Sequence, residues 1–507
     1  MTRDWKVWVL AAAILLLAAP ILIYSAPLYF FTPDIQYVKA KILRVMIGQL
    51  YADPISGFPS FHPPWYHVVL SVPARLGVGL DVLLRCAAVQ NIVLIFLFSY
   101  LILRRVFDRR TAFFATLLVP FVFQHMGPAQ IYLATAFYYS LPFFMAGLWL
   151  YLAPSRSPAA DIAIAVLWGL AFLISPVYVF AIGFTLADEL IIRKNFRRVG
   201  LFIPVFLIVI IPFFVQAYSI YGPGLAGSST FALWRGLPDL AWLQGFFSYL
   251  VSPLDGNPFD WHVLFAIAAA ALGILGYRRH KERPPFIYIV ALAFLFTAYH
   301  FSSPYASRIL FFVTLFLAGF AVEYLQKIIT VRRLATLALV LLVMAGAADH
   351  YWQYLSLYEQ QKKGFEYYVN STAGVKANLG KYLDPRAYVL ATGIAYRTMI
   401  MPLFPVHGLL AYKTGEYFQL NPEISRRMLD DYHQLMNSTD PAFIEEICKT
   451  YNMTTAVAGE VSEMKLPVFQ TIARNWTLVF RDAYFRIYIK PTGSDYREKP
   501  AAPAPRQ

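Results

Sequence analysis

Two carboxylates, three cations and two histidines share one short polar interval near the start of the chain. They are Asp34 and Asp53, then Lys39, Lys41 and Arg44, then His62 and His67. A carboxylate can take the proton of an attacking hydroxyl, and nearby cations can hold a departing phosphate. The interval runs from Thr32-Pro33-Asp34 through Ile35–Leu50 to Tyr51-Ala52-Asp53-Pro54. It closes with Phe61-His62-Pro63-Pro64-Trp65-Tyr66-His67. Plainer roles stand beside the chemical ones. Asp34 can be a helix N-cap, Asp53 a turn residue, and His62 and Tyr66 packing groups around Pro-Pro. The three cations can attract anionic lipid as readily as a donor phosphate.

The elements that must hold these residues follow from periodicity. Ile35, Val38, Ile42, Val45 and Met46 recur at helical spacing with Lys41 and Arg44 opposite, the pattern of a helix lying along a membrane surface. The 507-residue chain is 59% hydrophobic and 17% aromatic, and only 14% charged. A soluble domain carries roughly 25% charged residues, so this is a polytopic membrane protein. With ~20 apolar residues per span, about eleven spans are expected. They lie near 7–24, 84–103, 111–126, 130–152, 160–175, 177–192, 199–218, 261–277, 285–301, 305–324 and 333–349. The first is read as an uncleaved span. Residues 66–80, broken by Pro73 and Arg75, form a second interfacial helix.

The net charge of +14 implies no nucleic acid, because the cations sit in short clusters between apolar runs. Arg104, Arg105, Arg109 and Arg110 form one cluster, and Arg193, Lys194, Arg197 and Arg198 another. Arg278, Arg279, Lys281 and Arg283 form a third, and Lys327, Arg332 and Arg333 a fourth. Eleven spans with a cytoplasmic N-terminus place all four inside. Outside are then 25–83, 219–260, the Ser302–Arg308 turn and everything past about residue 350. Four glycosylation sequons, at Asn370, Asn437, Asn452 and Asn475, all fall in that last region, which suits an exported domain in a eukaryote or archaeon. Cys86 and Cys448 lie far apart and define neither a disulfide framework nor a metal spacing.

The chain thus divides into a transmembrane domain over 1–349, an exterior α/β domain over 350–494 and a disordered tail over 495–507. In the α/β domain Ala387–Thr392 and Thr454–Gly459 read as strands and Pro441–Tyr451 as a helix. Trp476–Phe480 and Tyr484–Ile489 read as a hairpin. An exterior site has no access to cytosolic nucleotide sugars or ATP, so group transfer there needs a donor delivered through the lipid. A polyprenyl-phosphate sugar meets that need. Arg308, at the outer end of a span, is the strongest candidate for its phosphate, with membrane snorkelling as the plainer reading. Arg235 is placed in an acceptor groove, while Arg85 and His300 are read as an interfacial anchor and a packed histidine.

Pro33-Asp34 after the first span, Gly48-Gln49-Leu50-Tyr51, and Phe58-Pro59-Ser60-Phe61-His62-Pro63-Pro64-Trp65-Tyr66 resemble the first exterior loop of GT-C glycosyltransferases. The likeness is to the branch of protein O-mannosyltransferases and aminoarabinose transferases. It implies an all-α membrane domain of the GT-C type with a small extracytoplasmic α/β C-terminal domain. It also implies a polyprenyl-phosphate sugar donor, a glycan, lipid or protein acceptor, and Asp34 as the catalytic carboxylate. Family members often show Asp-Glu where this chain has Asp34-Ile35, which leaves open whether a divalent metal (Mg or Mn) takes part. No Trp-Trp-Asp motif is present, which argues against an oligosaccharyltransferase. The membrane is the cell membrane, or the ER membrane in a eukaryote. A lipid-linked substrate transporter or flippase and an exterior acyl or phospho-group transferase remain as alternatives, although no internal repeat supports the transporter.

Overall fold

The computed structural model of the chain describes residues 5–31, 33–51, 64–122, 136–221, 271–278, 303–329, 331–383, 388–392, 422–459 and 463–491, with 289, 292–293, 400 and 407–408. Helices dominate: α1 (Trp5–Phe31), α2 (Pro33–Met46), α3 (Trp65–Arg75), α4 (Leu80–Val106), α5 (Arg109–Val122), α6 (Ala136–Tyr151) and α7 (Pro158–Ile174). A 3-10 turn (Pro176–Tyr178) leads into α8 (Val179–Ala187), which continues as a π-helix (Asp188–Ile192). Then come α9 (Phe196–Tyr221), α10 (Ser303–Ile328) and α11 (Arg332–Leu379). Among the described residues, Leu80–Val106, Phe196–Ser219 and Phe311–Ile328 are long and apolar enough to cross a membrane. Trp8–Ala19, Pro158–Ile174 and Arg333–Ala348 are shorter apolar helices. The expected spans at 261–277 and 285–301 lie largely outside the described residues.

The chain groups into two compact units. The first comprises Met1–Ser25, Arg85–Gln216 and Ala232–Leu357. Its helices approach closely where side chains are small. At Gly147 an added Cβ would run into the Trp168 indole, whose Nε1–H donates to the Phe144 carbonyl at 3.1 Å. Phe144 stacks on Trp168 and on Tyr178, with ring centroids 5.3 and 4.5 Å apart. Gly319 in the same way leaves room for the Phe107 ring.

Asp108 starts α5. Its Oδ1 accepts from the Arg110 and Thr111 N–H groups at 2.7 and 3.1 Å, and the Thr111 hydroxyl donates to Oδ2 at 2.6 Å. Burial pulls its pKa up, but the bonds from Thr111 and Arg110 and the charge of Arg104 outweigh that, leaving the carboxyl below its ordinary value. A depressed folded pKa supplies stability above the unfolded value, about 3.9, that is lost as pH falls through the folded one. Asp108→Ala should cost about 0.5–2 kcal/mol at neutral pH. Its melting temperature should also fall less than that of the parent on acidification below about pH 4. Thermal melts across that range check both.

The second unit comprises Ala26–Leu84, Ala217–Phe231 and Tyr358–Gln507, so the first loop belongs with the C-terminal region. Its elements are β1 (Tyr388–Leu390), β2 (His407–Gly408), α12 (Pro422–Asn437), α13 (Pro441–Thr450), β3 (Thr455–Gly459), α14 (Pro467–Asn475), β4 (Thr477–Arg481) and β5 (Phe485–Ile489). The sheet order is β2-β1-β3-β5-β4, with β1 parallel to β2 and β3, and β5 antiparallel to β3 and β4. Alternate residues serve opposite faces. Leu390, Ala456, Ala458 and Tyr488 pack under Met428, Leu435, Ile444, Cys448 and Phe469 from the helices. Val389, Val457 and Ile487 pack against Val375 and Leu379 of α11 and Ala40 of α2. Burial on the first face pushes the Cys448 thiol up to about 12.

The expected strands, the helix at 441 and the hairpin are all present, and α12 and α14 are additions to them. Each of the two opens on a proline at its first position, a helix-start signal. Helix α11 runs on to Leu379, thirty residues past the end of the expected span at 349. Residues 495–507 lie outside the described residues.

Candidate active site

Helix α2 is built to start and stop sharply. Pro33 occupies its first position, where a missing N–H costs nothing, and Asp34 is its second residue. At the other end Gly48 adopts φ +85°, the left-handed conformation that ends helices and favours glycine. The Gln49 N–H returns to the Arg44 carbonyl at 2.9 Å and the Gly48 N–H to that of Val45 at 3.1 Å. Helix α3 ends the same way. Gly77 has φ +91°, and the Val78 N–H reaches the Pro73 carbonyl at 3.1 Å.

The sequence placed Lys41 and Arg44 on a solvated face of a helix lying along the membrane. The structure corrects this: Lys41 is 0% and Arg44 1% exposed, beside Ile35, Ile42 and Val45. The periodicity is right, but α2 is covered on more than one side, by α3 and by the sheet face at Ala40. Buried charge is costly unless partnered, and partners are present. Lys39 Nζ lies 2.5 Å from Asp81 Oδ1, and Arg44 Nη1 donates to Gln49 Oε1 at 2.8 Å. Arg75 Nη2, from the last turn of α3, donates to the Val45 and Met46 carbonyls at 3.1 and 3.2 Å. A cation there faces the negative end of the α2 dipole.

Tyr66 is fully buried and meets the His67 ring edge-on, with centroids 5.2 Å apart. The opposite side of α3 is apolar and exposed at Trp65, Val69, Val72 and Leu76. Burial raises the pKa of Tyr51. Asp53, His62 and Arg235 lie outside the described residues, as do the side chains of Asp34 and Arg308. Arg308 is the sixth residue of α10. Among the described residues no group of three or more His, Cys, Asp or Glu could hold a metal ion.

No family model matches the sequence, nor does any curated protein. Solved structures do match. ArnT from Cupriavidus metallidurans bound to undecaprenyl phosphate superposes with a TM-score of 0.61 at 16% identity, over 96% of this chain and 98% of that one. The chain has the same fold as ArnT. The oligosaccharyltransferase of Archaeoglobus fulgidus tethered with an acceptor peptide gives 0.57 at 14% identity, over 90% of this chain and 69% of that one. The arabinofuranosyltransferase AftD from Mycobacteria gives 0.54 at 15% identity, over 98% of this chain and 40% of that one. The likeness of fold covers nearly the whole chain. The Archaeoglobus enzyme has also been solved in complex with Zn and sulfate.

A second charged cluster, in the helices of the first unit, is not visible in the sequence. Arg156 pairs with Glu189 and lies 3.6 Å from Asp161. Arg193 Nε lies 2.7 Å from Asp188, and Asn195 Nδ2 donates to Glu189 at 2.6 Å. Arg198 reaches Asp161 at 3.8 Å. The Arg156 guanidinium covers the Tyr151 ring at 4.5 Å. Three arginines meet three carboxylates, so the cluster is balanced and staples the ends of α6, α7 and the π-helix. In the sequence Arg193 and Arg198 read as inward loop charge; Arg193 meets Asp188 five residues away, but the partner of Arg198, Asp161, comes from a distant segment.

Proposed function

We propose that the chain is a multi-pass membrane glycosyltransferase that moves a hexosyl or pentosyl group from a polyprenyl-phosphate donor to an extracytoplasmic acceptor. The observation that carries this reading is the fold likeness, over nearly the full length of both chains, to a transferase bound to undecaprenyl phosphate. The first-loop motif around Asp34 agrees with it. In this reading about eleven spans make up 1–349, residues 25–83 and 350–494 face the exterior, and Asp34 stands at the membrane boundary.

The chemistry then needs few parts. Asp34 takes the proton of the acceptor hydroxyl as its oxygen attacks the anomeric carbon. The bond from that carbon to the phosphate oxygen breaks, and its electron pair leaves on the phosphate. Arg308 steadies the phosphate charge by contact, while Lys39, Lys41 and Arg44, packed inside, add only positive potential at longer range. Asp53, His62 and Arg235 line the acceptor side, while Tyr66, fully buried, packs beneath it. No general acid is required, because a phosphate leaves without being protonated. A divalent metal, where one binds, would add positive charge at the phosphate.

Incubating the purified chain with undecaprenyl-phosphate mannose, glucose, arabinose and 4-aminoarabinose tests this. Release of undecaprenyl phosphate together with sugar transfer supports it. Passage of intact lipid-linked sugar across a vesicle, without release, makes the chain a flippase instead. Orientation has its own check. Cysteines introduced at Ser60 and Asp430 should both react with an impermeant maleimide on intact cells, and labelling of either only after lysis contradicts the exterior placement.

A further inference from the structure

We infer that Arg75 and Asp81 are positioning residues, which hold α2 in place and so fix where Asp34 meets its substrate. The inference rests on the reading of Asp34 as the base. The two residues grip α2 at different heights. Asp81, in the first turn of α4, pairs with Lys39 at 2.5 Å. Arg75 binds the last carbonyls of α2, those of Val45 and Met46. Both contacts come from outside α2, and both are made by residues that do not belong to the Asp34 motif.

Geometry explains why they matter. At about 1.5 Å of rise per residue, Val45 lies about 17 Å along the axis from Asp34, and Lys39 about 8 Å. A tilt of about 3° at the Val45 end displaces Asp34 by about 1 Å, a misplacement that can cost on the order of 100-fold in rate. A helix capped by Gly48 and gripped at Lys39 and at Val45-Met46 resists that tilt. Arg75 is exposed, yet one guanidinium nitrogen serves two carbonyls at once. A lysine ammonium also carries enough N–H donors but ends a shorter side chain, so it replaces Arg75 only in part.

The test uses the full-length purified chain with whichever undecaprenyl-phosphate sugar turns over fastest, and undecaprenyl phosphate as the binding probe. Arg75→Met should lose about 10- to 100-fold in kcat, with KM and undecaprenyl phosphate affinity held within roughly twofold. Arg75→Lys should recover part of the loss, and Asp81→Asn should show a smaller fall of the same kind. Amides 36–46 should exchange faster in Arg75→Met than in the parent. The double variant Asp34→Asn/Arg75→Met should be no slower than Asp34→Asn alone, because Arg75 acts through Asp34.

Normal turnover in Arg75→Met overturns the inference. So do losses that multiply in the double variant, or a loss of undecaprenyl phosphate affinity, which would make Arg75 a phosphate ligand. Should Arg75→Met not fold, Arg75→Lys and Asp81→Asn carry the test, and full turnover in both overturns it. Full activity in Asp34→Asn alone overturns the base reading and this inference with it. A dead Asp34→Asn beside a normal Arg75→Met defeats only the inference.

Discussion

Asp34→Asn is expected to abolish nearly all turnover while leaving folding and donor binding close to normal. A sugar hydroxyl is a weak nucleophile until its proton is partly removed, and general-base assistance contributes about 10²–10⁴-fold, or roughly 3–5 kcal/mol of barrier. Asparagine keeps the size and the helix-starting ability of aspartate but cannot take a proton. Position favours the role: Pro33 fixes the backbone just before Asp34, and the helix N-terminus favours the ionised carboxylate. A residue that only steadies the first turn of α2 would behave in the opposite way. Asn would then be near normal in activity, and Ala would lower the melting temperature. Turnover and melting of both variants separate the roles, and more than about a tenth of parent activity in Asp34→Asn counts against the base.

Arg308→Ala should produce the second largest loss. Removing one preorganised donor from a developing negative charge costs about 10²–10³-fold in kcat. Undecaprenyl phosphate affinity should fall as well, because the phosphate is present before and after transfer. Arg308→Lys keeps the charge but loses the planar fork that meets two phosphate oxygens, so it should fall between Ala and the parent. Arg235→Ala, on the acceptor side, should change donor affinity little. Unaltered turnover and donor affinity in Arg308→Ala would remove this arginine from the site.

Much of the scaffold is legible in the sequence because the signals are local. Pro33 and Gly48 mark where α2 starts and stops, and the strands and the hairpin at 477–489 follow from alternation and turn residues. Pro422 and Pro467 offered the same kind of start signal for α12 and α14. What the sequence hides is partnership between distant segments. The period of α2 sets Lys41 and Arg44 opposite its apolar stripe, but only packing against α3 and the sheet reveals that the opposite face is buried too. The pairing of Arg156 with Glu189 joins residues 33 apart, and the grip of Arg75 on Met46 spans 29. Helix α11 outruns its apolar part, since hydropathy reports where lipid could lie and not where the backbone leaves the helix.

The central claim meets its most direct test in the anomeric configuration of the product, followed by proton NMR while the purified chain consumes an undecaprenyl-phosphate sugar of defined configuration. A single displacement assisted by one carboxylate predicts that the sugar leaves the phosphate and appears on the acceptor with inverted configuration, and that Asp34→Asn shows neither change. Retained configuration would require a covalent sugar–enzyme intermediate and a second catalytic group, and would contradict the account.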